Sequence, residues 1–306
     1  MVKYQNFWCR KAILKHILHY QKHFKAQDTD IILASQPKCG TTWLKSLLFT
    51  IVNRSNPDHQ PLNKNSPLLT HNPHDLVYFL EYGVYGWHPP NPTPQQLQHL
   101  PTPRLLQTHL PYASQPESIK TSSCKIICIA RNPFDTFVSL WHWHGKLVKT
   151  WGEDPEFEPP RVEEFFDDFC LGKFPFGLYF EHVIEFWKES VQQPDKILFL
   201  KYEDLKGDHA VLHLKKLAEF VGFPFSHQEE SEGVIDEIMQ LCSINNLKEL
   251  EVNKTGSMYK IVDIKNFFRK GEVGDWTNYF TPSMMERINT LMQEYFGDTN
   301  LSFQMQ

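Results

Sequence analysis

The sequence predicts a three-layer α/β fold, with helices on both faces of a mainly parallel sheet, and three observations carry that prediction. Short apolar runs alternate with helix-like stretches along most of the 306 residues. The runs DIILAS (30–35), RLLQTH (104–109), CKIICIA (124–130) and KILFLKY (196–202) are largely apolar rather than alternating, as strands covered on both faces should be. No repeat or low-complexity tract interrupts the pattern. One domain spanning residues 1–306 is the simplest count.

Each element has its own local reason. Residues 11–24 place Ile13, Leu14, Ile17, Leu18 and Phe24 on one helical face. His16, His19 and His23 fall on the other, where Lys15 and Lys22 favour a solvated surface over a metal site. The first strand, 30–35, runs through the loop SQPKCGTTW into an amphipathic helix near 41–54. Residues 55–103, rich in Pro, Asn and His, read as long surface connections with a helix or two. After the third strand, Asn132 can cap a helix and Pro133 suits its first turn. Phe134, Phe137, Val138 and Trp141 then form its apolar stripe. Further helices are expected near 161–171, 178–192, 208–222, 227–242 and 282–296, with the basic loop FFRKGEVGDW before the last.

With 41% apolar residues the chain can bury a large core, and 14% aromatic residues suit an aromatic-lined pocket. A formal net charge of −5 points to neither nucleic acid nor an anionic membrane as partner. An anionic ligand must therefore be held by locally placed cations. The six cysteines show no CxxC pair, and Cys124 and Cys128 share one side of a strand as buried small hydrophobes. That usage fits the reducing cytoplasm. There is no membrane-length apolar run, and MVKYQNFWCRK lacks a signal-peptide core.

The loop at 35–43 carries the chemistry. Amide groups at a helix start, with the positive end of the helix dipole, favour an anion. Gly40 lets backbone approach closely, Thr41 and Thr42 add hydroxyl donors, and Lys38 adds an ammonium. The nucleotide-kinase loop G-x-x-x-x-G-K-[ST] differs, because here the first glycine is missing and the lysine precedes the remaining one. The strand ends carry His109, Arg131 and Tyr202 instead of a metal-binding carboxylate. A transferred group of lower charge than phosphoryl, such as sulfuryl, needs no metal.

Further segments extend the pattern: PKCGTTWLKSL (37–47), THLPYASQPESI (108–119), ARNPFDTFVSLWH (130–142), LKYEDLK (200–206), LCSINNLKELEVNK (241–254) and FFRKGEVGDWTNYFT (267–281). In order and spacing, across nearly the whole chain, they resemble the plant cytosolic sulfotransferases, with phrases similar to hydroxyjasmonate and flavonol enzymes. The resemblance implies one P-loop-like nucleotide-binding domain with a central five-stranded parallel sheet. It implies 3′-phosphoadenosine 5′-phosphosulfate (PAPS) as cosubstrate, no metal, and a small hydroxylated molecule as acceptor. Hydroxyjasmonate, flavonols, brassinosteroids and desulfoglucosinolates all stay open as acceptors.

By that resemblance Lys38, Cys39, Gly40, Thr41, Thr42 and Trp43 form the 5′-phosphosulfate loop, with Lys38 also catalytic and Trp43 near the adenine. Arg131 and Ser139, with Arg269, Lys270 and Gly271, match the 3′-phosphate site. Tyr202 matches an adenine contact, with Ser243 nearby. His109 matches the general base, whose neutral imidazole suits deprotonation of a hydroxyl near physiological pH. His142 and His144 are read as helix or groove residues. Phe7, Trp8, Phe79, Tyr82, Tyr85 and Trp87 are candidate acceptor-pocket walls.

The chain departs from the family in four places. Gln107 stands where animal members often have Lys. Cys39 beside Lys38 raises a nucleophile alternative, but the residue at the C-x5-R arginine position is Lys45. Thr277 and Pro282 break the animal dimer motif, which implies a monomer. The chain also begins at MVKYQNFW, where relatives carry a longer upstream segment. A PAPS-binding relative without activity and a P-loop kinase are the alternative functions.

Overall fold

Ile31 and Leu33 enter one hydrophobic core, while Ile32 and Ala34 enter another. Successive side chains of a strand point to opposite faces, so a strand covered on both must be apolar throughout. The same division separates Ile127 and Ile129 from Ile126 and Cys128, and Leu198 and Leu200 from Ile197. These residues belong to a computed structural model that describes residues 1–56, 65–86, 92–151, 160–258 and 262–305.

The chain opens with a hairpin, β1 (Val2–Tyr4) and β2 (Phe7–Cys9), then α1 (Lys11–His23), β3 (Ile31–Ser35) and α2 (Thr41–Asn53). A short α3 (Pro73–Leu76) leads into β4 (Tyr78–Phe79) and a π-helical turn, Leu80–Val84. Next come α4 (Pro94–Leu97), β5 (Leu105–Thr108), α5 (Glu117–Thr121), β6 (Lys125–Ala130) and the long α6 (Pro133–Trp151). Two helices, α7 (Val162–Cys170) and α8 (Tyr179–Gln192), precede β7 (Ile197–Lys201). Helices α9 (Ala210–Phe220), α10 (His227–Ser231), α11 (Val234–Leu241), α12 (Ile244–Glu249) and α13 (Glu251–Lys254) follow. A small ribbon, β8 (Ser257–Met258) and β9 (Val262–Asp263), and α14 (Pro282–Phe296) complete the chain.

Five strands form the central parallel sheet in the order β4-β5-β3-β6-β7. The chain passes over β3 between β5 and β6, so the carboxyl ends of these strands converge on a crevice of the kind that binds ligands. At the opposite end, Asp30 and Arg104 form a fully buried ion pair that joins the starts of β3 and β5.

Four of the five strands match the apolar runs. The fifth, β4, is only two residues long and lies within 55–103, where sequence gave surface connections. It adds to the sheet edge through Tyr78 beside Leu106 and Phe79 beside Gln107. The expected helix over 227–242 is broken into α10 and α11, because Gly233 adopts φ 78. In α1, His16 is buried and Leu18 is 45% exposed, the reverse of the expected faces. Helix α2 is not amphipathic. Lys45, Ser46 and Thr50 are buried along with Leu44, Leu47, Leu48 and Ile51, because α3, α9 and α11 pack around it. Burying each of those aliphatic side chains contributes roughly 1.5–3 kcal/mol, which holds the helix start against the sheet.

Candidate active site

The loop after β3 is shaped by two left-handed residues. Gly40, at φ 104, caps α2, and a Cβ there would meet Cδ2 of Tyr202 at 2.6 Å. Both the backbone angle and the tyrosine thus demand glycine. Lys38 adopts φ 72 although it carries a side chain. Such backbone costs on the order of 1–3 kcal/mol and recurs where a site needs one fixed geometry. Ser35 Oγ lies 2.8 Å from Thr41 Oγ1, and Gln36 donates to the carbonyl of Phe176, so the loop is held from both sides.

Lys38, Gly40, Thr41, Thr42 and Trp43 line one cavity. Arg131, Ser139, Tyr202, Arg269 and Gly271 line the same cavity from three other parts of the chain, and so does His109. Burial and the neighbouring Arg269, Lys146 and Arg131 push the Lys38 ammonium down to about 7. This crowd of cations is what an anion would relieve. Arg131 is fixed by a bond to the carbonyl of Glu272 at 2.5 Å, and its guanidinium sits 4.6 Å from the Tyr202 ring centroid. Its buried Nε has no hydrogen-bond partner among the described residues. Tyr202 in turn donates to the carbonyl of Gly271 at 2.8 Å, joining the basic loop to the end of β7. Gly271 adopts φ 68, and a Cβ there would strike Ile244 at 2.6 Å.

Three expected contacts fall elsewhere. The Cys39 side chain is fully buried against Ala130, Phe134 and Phe137, away from the cavity. Burial pushes its thiol up to about 12, the opposite of a nucleophile, so the C-x5-R alternative has no support. Lys270 points away and pairs with Asp275 at 2.6 Å, beside the Arg269–Asp275 pair. Against burial, these two cations hold the Asp275 carboxyl at about 2. Ser243 caps α12 by accepting from the Asn246 amide at 3.1 Å. Trp43 does face the cavity, with its ring edge-on to Tyr202 at 5.2 Å.

His109 follows β5. Its Nδ1 lies 2.6 Å from the carbonyl oxygen of Ser35, and a carbonyl only accepts, so Nδ1 carries the proton. Nε2 keeps its lone pair. Burial lowers this imidazole to about 3, so the ring stays neutral. Glu81 holds the backbone behind it: Oε1 accepts from the amides of His109 at 2.9 Å and Leu110 at 3.1 Å, and from the Thr108 hydroxyl. Gln107 lies buried on the cavity wall, and neither of its side-chain polar atoms has a partner among the described residues.

Around His109 the walls become aromatic, with Phe79 at 5.0 Å and Phe176 at 5.3 Å between ring centroids. Of the expected pocket walls, Phe79 and Tyr82 line the cavity. Phe7 instead stacks behind Phe176, Tyr85 packs on Tyr20, and Trp8 pairs its backbone with Phe176 and Gly177. Trp87 lies outside the described residues. Sequence reading missed Arg10, His74 and Phe176, all of which reach this cavity, and Glu81 behind it. The capping pattern of Asn72-Pro73-His74-Asp75 was the one local signal for His74.

A family model described as the sulfotransferase domain matches residues 28–300. The chain belongs to the sulfotransferase family. This sulfotransferase is 42% identical over 302 residues to cytosolic sulfotransferase 15 of Arabidopsis thaliana, covering 99% of its own length and 81% of that relative. It is 44% identical over 311 residues to a flavonol sulfotransferase-like protein of Flaveria bidentis, covering 98% and 92%. Among solved structures it resembles mouse sulfotransferase SULT7A1 complexed with PAP, at TM-score 0.73 and 26% identity, covering 98% and 95%. The P-loop-like nucleotide-binding fold expected from sequence is therefore present in this sulfotransferase.

Proposed function

We propose that the protein transfers a sulfuryl group from PAPS to a hydroxyl of a small plant metabolite. The observation that carries this reading is the meeting, in one cavity, of a neutral His109 with an open Nε2 and the cation-rich loop at Lys38. In the proposed step the acceptor oxygen attacks sulfur and its proton passes to His109 Nε2. The bond from sulfur to the bridging phosphate oxygen breaks, and Lys38 offsets the charge left on that oxygen. The product nucleotide is adenosine 3′,5′-bisphosphate, the PAP that SULT7A1 was solved with. Donors fixed in advance around such charge typically contribute a few kcal/mol each. In this reading Arg131, Ser139, Arg269 and the backbone of Gly271, which line the same cavity, hold the 3′-phosphate, while Tyr202 and Trp43 flank the adenine.

Among the acceptor classes suggested by sequence, hydroxyjasmonate alone carries a carboxylate. Arg10 lines the cavity beside Tyr82, whose ring packs on Phe79 at 5.0 Å, and so stands on the His109 side. A guanidinium beside the aromatic side chains of Phe79, Tyr82 and Phe176 favours the acid. We place the enzyme in the cytosol as a single-domain monomer that uses no metal. Its relatives are named cytosolic, its six described cysteines are all free, and no described helix is long and apolar enough to cross a membrane.

The test is incubation with labelled PAPS, without added metal, and with hydroxyjasmonate or its methyl ester. Labelled product supports sulfuryl transfer. Nucleotide binding without product favours an inactive relative, and activity only with ATP and magnesium favours a kinase. Equal rates with acid and ester would remove Arg10 from acceptor choice. Light scattering checks the monomer, and a dimer at every concentration would refute it.

A further inference from the structure

Lys45 is fully buried in α2, four residues past Thr41, the first threonine of the sulfuryl-donor loop. An ammonium in such a place must be satisfied, because leaving it without partners costs several kcal/mol. Its Nζ donates to the carbonyl of Val77 at 2.9 Å and lies 3.1 Å from Nδ1 of His74. The other ring nitrogen of His74, Nε2, lies 2.9 Å from Oγ1 of Thr42. Both His74 and Thr42 line the cavity. The imidazole is fixed from outside as well. Asn72 and Asp75 form a capping box around α3, Asn72 donates to Asn253 at 2.7 Å, and Phe267 packs on the ring at 4.4 Å.

We propose that Lys45, His74 and Thr42 form a one-way hydrogen-bond relay that turns the Thr42 hydroxyl proton toward the phosphosulfate of the bound donor. The direction follows from donor and acceptor types. An ammonium has only donors, so Nδ1 of His74 accepts from it and the imidazole proton sits on Nε2. Nε2–H then donates to Thr42 Oγ1. With that lone pair occupied, the hydroxyl hydrogen is directed into the cavity, where an anionic oxygen can accept it. Every bond in the chain points outward, so positive charge buried behind the loop strengthens a neutral donor at its surface.

The neighbouring charges are compatible with this direction. Burial lowers Lys45 to about 7, while Asp75 and Glu81 pull it back up. Burial and Lys45 hold His74 well below its ordinary value, so the ring stays neutral and can accept at Nδ1. An anion bound at Thr42 adds a third attraction for the ammonium. Lys45 and His74 are positioning residues: they act through Thr42 and touch no reacting atom.

The proposal rests on the sulfuryl-donor reading, and titration calorimetry with adenosine 3′,5′-bisphosphate separates the two. The set is wild type, Thr42→Val, His74→Leu, the double variant and His74→Gln, each checked for folding by circular dichroism. Losing a hydrogen bond to a charged group should weaken binding about tenfold in either single variant. The double variant should then be no weaker than the singles, since both remove one relay. His74→Gln, whose amide nitrogen occupies the Nε2 position and so restores the bond to Thr42 but not the one from Lys45, should recover most of the affinity lost in His74→Leu. Multiplying losses in the double variant, or a His74→Gln as weak as His74→Leu, would overturn the relay and leave His74 a packing residue. If His74→Leu does not fold, His74→Asn replaces it, because its shorter amide cannot reach Thr42. A wild-type protein that ignored the nucleotide would overturn the donor reading and the relay together.

Discussion

His109 Nδ1 lies 2.6 Å from the carbonyl oxygen of Ser35, so the end of β5 is bonded directly to the last residue before the phosphate-type loop. The bond sets the imidazole tautomer and leaves Nε2 for the cavity, and among the described residues no carboxylate bonds the ring. Replacing His109 by Ala should lower transfer by about 10²–10⁴-fold while nucleotide affinity stays near wild type. Steady-state rates paired with calorimetry check this. Unchanged turnover would remove the histidine from the mechanism.

Lys38 gives the site a pH signature. Its ammonium sits at about 7 in the free protein because of burial and the nearby cations. A bound phosphosulfate or phosphate would raise that value, so binding above pH 7 takes up a proton. Nucleotide affinity should therefore fall as pH rises from about 7 to 9, by at most about tenfold per unit. Calorimetry in buffers of different ionisation heat reads the proton uptake directly, and Lys38→Met should reduce it, leaving only the part due to Lys45, which also sits at about 7. A pH-independent affinity in the wild type would contradict the assignment.

Gly40 has no tolerated substitute. Gly40→Ala should destabilise the fold by about 1–2 kcal/mol through its backbone angle alone, and displace Tyr202, whose Cδ2 would lie only 2.6 Å from the new Cβ. Thermal melting and nucleotide titration should both shift. An alanine variant of normal affinity would show that Tyr202 and the loop are not coupled.

Cys39 offers the converse. Its thiol is buried among aromatic side chains and held up at about 12. Cys39→Ser should keep most turnover and lose roughly 1–3 kcal/mol of stability, the cost of an ill-partnered hydroxyl. Complete loss of turnover in a folded variant that still binds nucleotide would make the thiol part of the chemistry.

The parts of the site that sequence made legible are local. The loop 35–43 showed itself because a strand, a single glycine and a helix start are contiguous; the left-handed angle of that glycine came only from the structure. Asn132 was legible as a cap for the same reason, and its Oδ1 accepts from the Asp135 amide at 2.8 Å. Edge strand β4 was not legible, because two residues carry no periodicity. Nor did the sequence tell Cys39 from its neighbours, since which side of a turn faces a cavity depends on what packs against it.

Amino-acid order by itself determined the strand runs, the anion-binding turn, and the candidate base and cations, because those depend on contacts among near neighbours and on residue type. Only tertiary structure decided that Lys270 turns to Asp275 while Arg269 reaches the cavity, and that Glu81 supports His109 from 28 positions away. It also decided that a lysine in mid-helix is buried beside the loop rather than solvated. The physical reason is that burial and charge pairing are set by elements brought together across the sheet, and their energies depend on a desolvation that no local stretch of chain can impose.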